Sequence, residues 1–272
     1  MAQTLYQLRQ AVIRLMGEVI TGTPGGSLAV NTFGCPALAI YENDYFNDWN
    51  GRFYLGTHKD TSFVVTAFVK SGGVVTFAPA LGSAVVVGDL FELYPPDFKP
   101  EEINNAINLS ISMVEQEALQ DKVDATLVVA ASTYEYDIPT GFLYIDQIFQ
   151  ESGTSDRYSP SGDLIDVRHW RILPGTTPKL WFDNDYITLT AGRKLRLVGQ
   201  GIQAQLALDA STCSVNPAFI IFQAKALLHQ SKIRGTGAEF GEHTTQANLA
   251  KANAENERRR LRVAGYGRKV IF

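Results

Sequence analysis

The run Gly88-Asp89-Leu90-Phe91-Glu92-Leu93-Tyr94-Pro95-Pro96-Asp97-Phe98-Lys99-Pro100-Glu101-Glu102-Ile103-Asn104-Asn105-Ala106-Ile107 changes its apolar spacing midway. Before Pro95 the residues alternate with aromatic and branched side chains, as a strand does. Pro95-Pro96 ends that pattern. Pro100 then stands where a helix places its first residue, with Glu101 and Glu102 set against the positive end of the helix dipole. From there Ile103, Ile107, Ile111, Val114 and Ala118 step by 4, 4, 3 and 4, which predicts an amphipathic helix ending near Gln120.

Working toward the N-terminus, residues 27–94 lack helical spacing. Arg52–Leu55, Ser62–Val69, Val74–Phe77 and Asp89–Tyr94 are the expected strands. Asn50-Gly51, Gly72-Gly73 and Gly88-Asp89 are the expected turns, the first being a strong hairpin signal because both residues tolerate positive φ. Before this region Leu5, Leu8, Val12, Leu15 and Val19 mark a first helix with Thr4 as its cap.

Toward the C-terminus a second β region follows, with strands expected in Thr126–Tyr136, Gly141–Phe149, Leu164–Leu173, Lys179–Phe182 and Lys194–Val198. Asn216-Pro217 opens a third helix reaching about Ile233. A fourth, from about Glu242 to Arg262, has almost no apolar stripe, as expected of a helix that bridges bodies or leans on a partner. The order predicts an α+β fold: a helical core of about four helices carrying two β-rich insertions, with an extended C-terminal tail. In residue terms, 1–22 and 95–122 supply core helices, 23–94 and 123–212 the two β-rich regions, and 213–272 the last helices and tail. A linear pair of α+β domains split near Lys99 is the alternative.

The chain has 272 residues, 45% hydrophobic and 19% charged, enough to bury a core and too apolar for wholesale disorder. Cys35 and Cys213 form neither a disulfide framework nor a CxxC pair, and read as buried thiols. No apolar run approaches the roughly 20 residues needed to span a bilayer, and Met1-Ala2-Gln3-Thr4 begins no secretory signal, so no membrane partner and synthesis in a cytoplasm are expected.

Sites for chemistry are scarce. His58, His169, His229 and His243 fall in four different predicted elements, without the close ligand pair of a zinc site. Gly199-Gln200-Gly201-Ile202-Gln203-Ala204 fits GxGxxA after a strand, but no helix long enough follows to cradle a phosphate, so a glycine turn is expected. The glycines at 22, 25 and 26 lack the lysine of a P-loop. The acidic turns Asp44–Asp48 and Asp183–Asp185 collect oxygen atoms without EF-hand spacing; whether they bind ions stays open. The expectation is no enzyme, no cofactor and no metal.

Charge is distributed unevenly. Seven basic residues after position 250 face only Glu255 and Glu257, a local +5 in a chain of net −4, which leaves −9 on the first 250 residues. Oppositely charged ends suit head-to-tail contact between copies. The candidate partner-binding residues are Arg258, Arg259, Arg260, Arg262, Tyr266, Arg268, Lys269, Val270, Ile271 and Phe272. The large apolar ones would each gain about 1.5–3 kcal/mol if buried.

Three stretches carry a resemblance: Gly73–Leu81 closing on Gly88–Leu93, Pro95–Asn108, and the Arg-rich last helix with its tail. Together they resemble the neck proteins of tailed bacteriophages, the adaptor or head–tail connector class. That resemblance implies a structural virion protein: a homo-oligomeric ring, commonly a dodecamer, in the neck between portal and tail, contacting the portal protein and tail or neck proteins. DNA would cross its channel during packaging and ejection without sequence-specific binding, a passage eased by an acidic body, since phosphate affinity comes from Lys and Arg. The alternative is a tail-associated or host-glycan-binding module, with Tyr41, Tyr45, Phe46 and Trp49 beside Asp44 and Asp48 as a sugar platform.

Overall fold

The computed structural model describes residues 2–17, 19–153, 156–159, 162–233, 238–261 and 268–270. In chain order the elements are β1 (Gln3–Thr4), α1 (Leu5–Arg14), β2 (Ile20–Gly22), β3 (Thr32–Gly34), β4 (Asn50–Leu55), β5 (Thr61–Val69), β6 (Val74–Ala78), β7 (Leu90–Tyr94) and α2 (Pro100–Ser112). They continue with β8 (Gln120–Val128), β9 (Glu135–Asp137), β10 (Tyr144–Gln150), β11 (Trp170–Leu173), β12 (Lys179–Phe182), β13 (Lys194–Gly201), β14 (Thr212–Cys213), α3 (Pro217–Lys232), α4 (Ala238–Arg258) and β15 (Arg268–Lys269). The chain divides into two compact units, one of residues 1–113 and 205–260, the other of 114–204 and 261–272.

The first unit is built on a six-stranded antiparallel sheet of order β2-β7-β4-β5-β6-β3. Phe33 lies on the edge strand β3, yet its ring sits 4.6 Å from Phe91 on β7, at the far side of the sheet, and about as close to Phe53, Phe63 and Phe77 as aromatic pairs pack. One ring can reach all four only if the sheet curls around it. The concave face is thereby filled with phenylalanine and valine, all buried.

Asn50-Gly51 is not the expected hairpin turn. Both residues are in β4, and Gly51 is required because a Cβ there would run into the Phe63 ring. The chain reverses instead between Gly56 (φ 105°) and Asp60 (φ 66°). Gly72 and Gly73 (φ 76° and 59°) make the β5–β6 turn as expected.

Helix starts follow their local chemistry. Thr4 and Gln7 form a reciprocal capping box on α1, Pro100 opens α2, and Asn216 Oδ1 accepts from Ala218 N at 3.0 Å ahead of Pro217 on α3. α2 stops at Ser112, eight residues short of expectation. Val114 and Ala118 keep the apolar spacing but belong to turns of the second unit, so the periodicity ran across a unit boundary.

The second unit pairs a four-stranded sheet, β15-β10-β13-β8, with a three-stranded one, β11-β12-β9. Ile145, Ile148, Leu195 and Leu197 of the first share one apolar cluster with Trp170, Leu180, Phe182 and Tyr136 of the second, so the two sheets enclose a common core.

The expected helical core with β-rich insertions is therefore corrected. Among the described residues the fold is mostly β, four helices accompanying strands in four sheets. Each β region carries enough Phe, Val, Leu and Ile to close its own interior, and a segment that encloses a core is the body of a unit rather than a decoration on helices.

Candidate assembly surface

α1 carries a charge on its apolar face. Arg9 follows Leu5 by one helical turn and is as buried as Leu5, Leu8 and Val12. α1 covers the convex side of β4 and β7, where alternation sends Arg52, Glu92 and Tyr94 outward while Phe91 and Leu93 point inward. Arg9 Nε donates to Glu92 Oε1 at 2.6 Å and to the Tyr94 hydroxyl at 2.9 Å; Nη1 donates to Asp209 Oδ1 at 2.6 Å and to Asn104 Oδ1 at 3.1 Å. Arg52 Nε donates to the second Asp209 oxygen at 3.0 Å, and its Nη2 to Asp60 at 3.1 Å. Gln10 Nε2 completes Glu92 at 2.5 Å.

Burial pushes the Glu92 carboxyl up despite Arg9, and lifts the Tyr94 hydroxyl well above its ordinary range. Burial also opposes ionisation of Asp209, but Arg9 and Arg52 outweigh it and hold that carboxyl low. Arg9, Arg52, Glu92 and Asp209 are all buried and paired with one another, so the cluster locks α1, β4, β7 and the 205–212 segment together.

The expectation that α4 bridges bodies or leans on a partner is completed by a packed face within its own chain. Ala247, Ala250 and Ala254, spaced 3 and 4, are buried on the side facing α3; small side chains let two helices approach without an apolar stripe. Asn216 Nδ2 donates to Glu257 Oε2 at 3.2 Å, and Lys225 Nζ to Gln246 Oε1 at 3.3 Å. The outward side leaves Asn248, Leu249, Lys251, Ala252, Glu255 and Asn256 exposed.

The same hairpin brings together two histidines that had looked isolated. His229 Nδ1 and His243 Nδ1 lie 3.0 Å apart, one donating and one accepting, and His229 Nε2 is buried without a hydrogen-bond partner. Burial, then Lys225 and His243, push His229 down to about 4. Its folded value lies below the ordinary 6.5, so the unfolded chain takes up the proton first and stability falls as pH drops from 6.5 toward 4. Thermal melts across that window will show a decline that is shallower in His229→Leu; parallel curves would remove His229 as its source. Among the described residues no group of three metal-ligating side chains forms.

The candidate partner-binding residues divide. Arg258 ends α4 near Glu255 at 3.6 Å; Arg259 and Arg260 follow it, both exposed, with Arg260 Nη1 2.8 Å from Glu257. Arg268 and Lys269 form β15 beside β10, Lys269 exposed. Val270 is 2% exposed, inside the second unit's own cluster, its N–H donating to Leu143 O at 2.8 Å. The gain expected from burying Val270 is thus realised within its own chain. Arg262, Tyr266, Ile271 and Phe272 lie outside the described residues.

Other expectations resolve simply. Gly199 and Gly201 are in β13, not a turn: a Cβ at either would meet the backbone carbonyl of Tyr144 or Gly141, so glycine serves close strand packing. Cys35 and Cys213 are free and buried. Asp44 and Asp48 take positive φ, and Asp183 Oδ1 accepts from Asp185 N at 3.1 Å, which are turn-forming roles. Phe46 and Trp49 belong to the first unit's core, leaving Tyr45, stacked on Tyr41 at 4.8 Å, as the exposed ring of the aromatic group.

Among the described residues no helix is long and apolar enough to cross a membrane. No curated protein matches the chain. A family model described as SU10 adaptor protein matches residues 3–268, nearly the whole length. The chain therefore belongs to the SU10 adaptor protein family, and is a bacteriophage structural adaptor protein.

Proposed function

We propose that copies of this chain close into a ring in the virion neck, joining the portal-bearing head to the tail and surrounding the DNA passage. The role we propose is structural: the charged cluster around Arg9, Glu92 and Asp209 is buried inside the first unit, where it ties α1, β4, β7 and the 205–212 segment together. A dodecamer is the copy number the adaptor class suggests, with portal protein and tail or neck proteins as neighbours.

The observation that carries this reading is the cationic end of α4. Arg259 and Arg260 are exposed, and half-buried Arg258 precedes them, on a chain whose first 250 residues are strongly acidic, so the same surface repeated on identical copies attracts head to tail. A heterologous contact of this kind closes into a ring when its rotation permits. The acidic remainder also suits a wall past which DNA slides.

Reversing Arg258, Arg259 and Arg260 to Glu tests it. Reversal replaces two surface ion pairs, with Glu255 and Glu257, by like-charge neighbours, so the monomer will lose about 1 kcal/mol of stability and melt slightly earlier, while assembly measured by light scattering weakens about tenfold or more and loses its salt dependence. Unchanged assembly would remove the basic patch from the interface.

A further inference from the structure

The chain reverses between β4 and β5 at Gly56–Asp60 and brings His58 onto the loop that leads into β7. Fully buried Asp89 is the centre of that contact. Its Oδ1 accepts from His58 N at 3.1 Å, and its Oδ2 accepts from Val86 N at 3.0 Å and from His58 Nδ1 at 2.7 Å. A Cβ at Gly56 would meet Asp89 Oδ1 and the Gly88 carbonyl, so glycine there lets the two loops close on each other. Burial opposes ionisation of Asp89, but the N–H groups of Val86 and His58 outweigh it and hold the carboxyl low. A carboxylate only accepts, so His58 Nδ1 carries the ring proton and Nε2 presents a lone pair. Ser83 Oγ lies 3.0 Å from that Nε2 and donates to it.

Ser83 is exposed, between exposed Gly82 and Ala84. The loop is held on both sides of it: Leu81 N donates to Val30 O at 2.7 Å and Val85 N to Ala29 O at 3.0 Å. With Asp89 fixing the loop as well, the hydroxyl is not needed as a brace. Among the described residues the N–H groups of Gly82, Ser83 and Ala84 meet no acceptor, so they are available to an oxyanion beside Ser83. A Cβ at Gly82 would have nothing within 4 Å, so the approach is open.

We infer that Ser83 is a nucleophile, with His58 as its base and Asp89 orienting the ring, at a site for small carboxylic esters. Ser83 Oγ bonds to the ester carbonyl carbon as its proton passes to His58 Nε2. The tetrahedral intermediate collapses with loss of the alcohol, which takes that proton. One water then repeats the sequence on the acyl-serine and releases the acid. Val86 and Val87, exposed in the same loop, suit a short apolar acyl group. This activity goes beyond the structural role and does not depend on ring closure.

The test treats the full chain with an alkyl fluorophosphonate and locates the adduct by peptide mass spectrometry. An Oγ–P bond forms, the P–F bond breaks, and the serine proton leaves with fluoride. The peptide holding Ser83 will gain the adduct at least about a hundredfold faster in the folded chain than in urea, the gain a positioned base supplies. The rate will fall on acidification, as the His58 ring, whose ionisable contact is Asp89, takes up the proton it must otherwise accept. Hydrolysis of para-nitrophenyl acetate will stop as the adduct forms, and His58→Gln will slow labelling at least about a hundredfold in a chain that still melts cooperatively. Should that variant not fold, the comparison with urea and the pH profile decide on the unaltered chain. Adduct spread evenly over the serines, an equal rate in urea or in folded His58→Gln, a flat pH profile, or hydrolysis untouched by the adduct would overturn the assignment. None of these results bears on the ring.

Discussion

Arg9→Met will destabilise the first unit by about 3–5 kcal/mol, the usual cost of removing one partner from a buried ion pair. Methionine keeps the volume, so the loss is electrostatic rather than a cavity. Glu92, itself fully buried, keeps Gln10 and the Tyr94 hydroxyl but loses its cation, while Asp209 retains Arg52. The pH dependence distinguishes this from a packing defect. Burial already raises the Glu92 carboxyl, and without Arg9 it rises further. A carboxyl whose folded pKa exceeds its unfolded one costs stability above the unfolded value, and the cost is relieved as pH falls through the folded one. The deficit of Arg9→Met will therefore shrink on acidification. Arg9→Met with Glu92→Gln will recover at least about half of it at neutral pH. Urea unfolding of the four members of this cycle supplies the numbers; additive losses would mean that the pair is not coupled.

The second large effect lies in the other unit. Gly199→Ala will cost about 3 kcal/mol, at the upper end for an inserted methyl, because the obstacle is the Tyr144 carbonyl and Ile145 Cα rather than a side chain that can rotate aside. β10 and β13 must then separate where Ile145 pairs with Gly199, in the middle of the shared core. Hydrogen exchange of the peptides covering 144–150 and 194–201 will accelerate, while α1 and β7 in the first unit keep their protection. Unchanged exchange in β10 would show that the strands accommodate the methyl.

These two sites show what was legible in the sequence. Capping is decided within four residues, so Thr4, Pro100 and Asn216-Pro217 gave away their helices. The alternation of Leu90–Tyr94 likewise exposed a strand, and charge alone exposed the basic end of α4. The Arg9 cluster was hidden because the partners of Arg9 lie 83 to 200 positions away from it, and because Glu92 on an alternating strand reads as solvent-facing until a helix covers it. One signal was present: a charge at Arg9 on the face defined by Leu5, Leu8 and Val12. The fold class was misjudged for a related reason. Helical spacing is easy to see, whereas a sheet that curls around Phe33 is visible only once its strands are paired. The same holds for Val270, whose place beside β10 depends on a strand more than a hundred residues earlier. His229 and His243 sit on separate helices and meet only in the packed hairpin.

The most direct test of the ring is the native mass of the purified full-length chain, alone and with a portal ring. The account predicts a closed assembly of many copies, stable on the portal and reduced to monomers when Arg258, Arg259 and Arg260 are reversed to Glu. A protein that remains a monomer at high concentration and in the presence of the portal would contradict it.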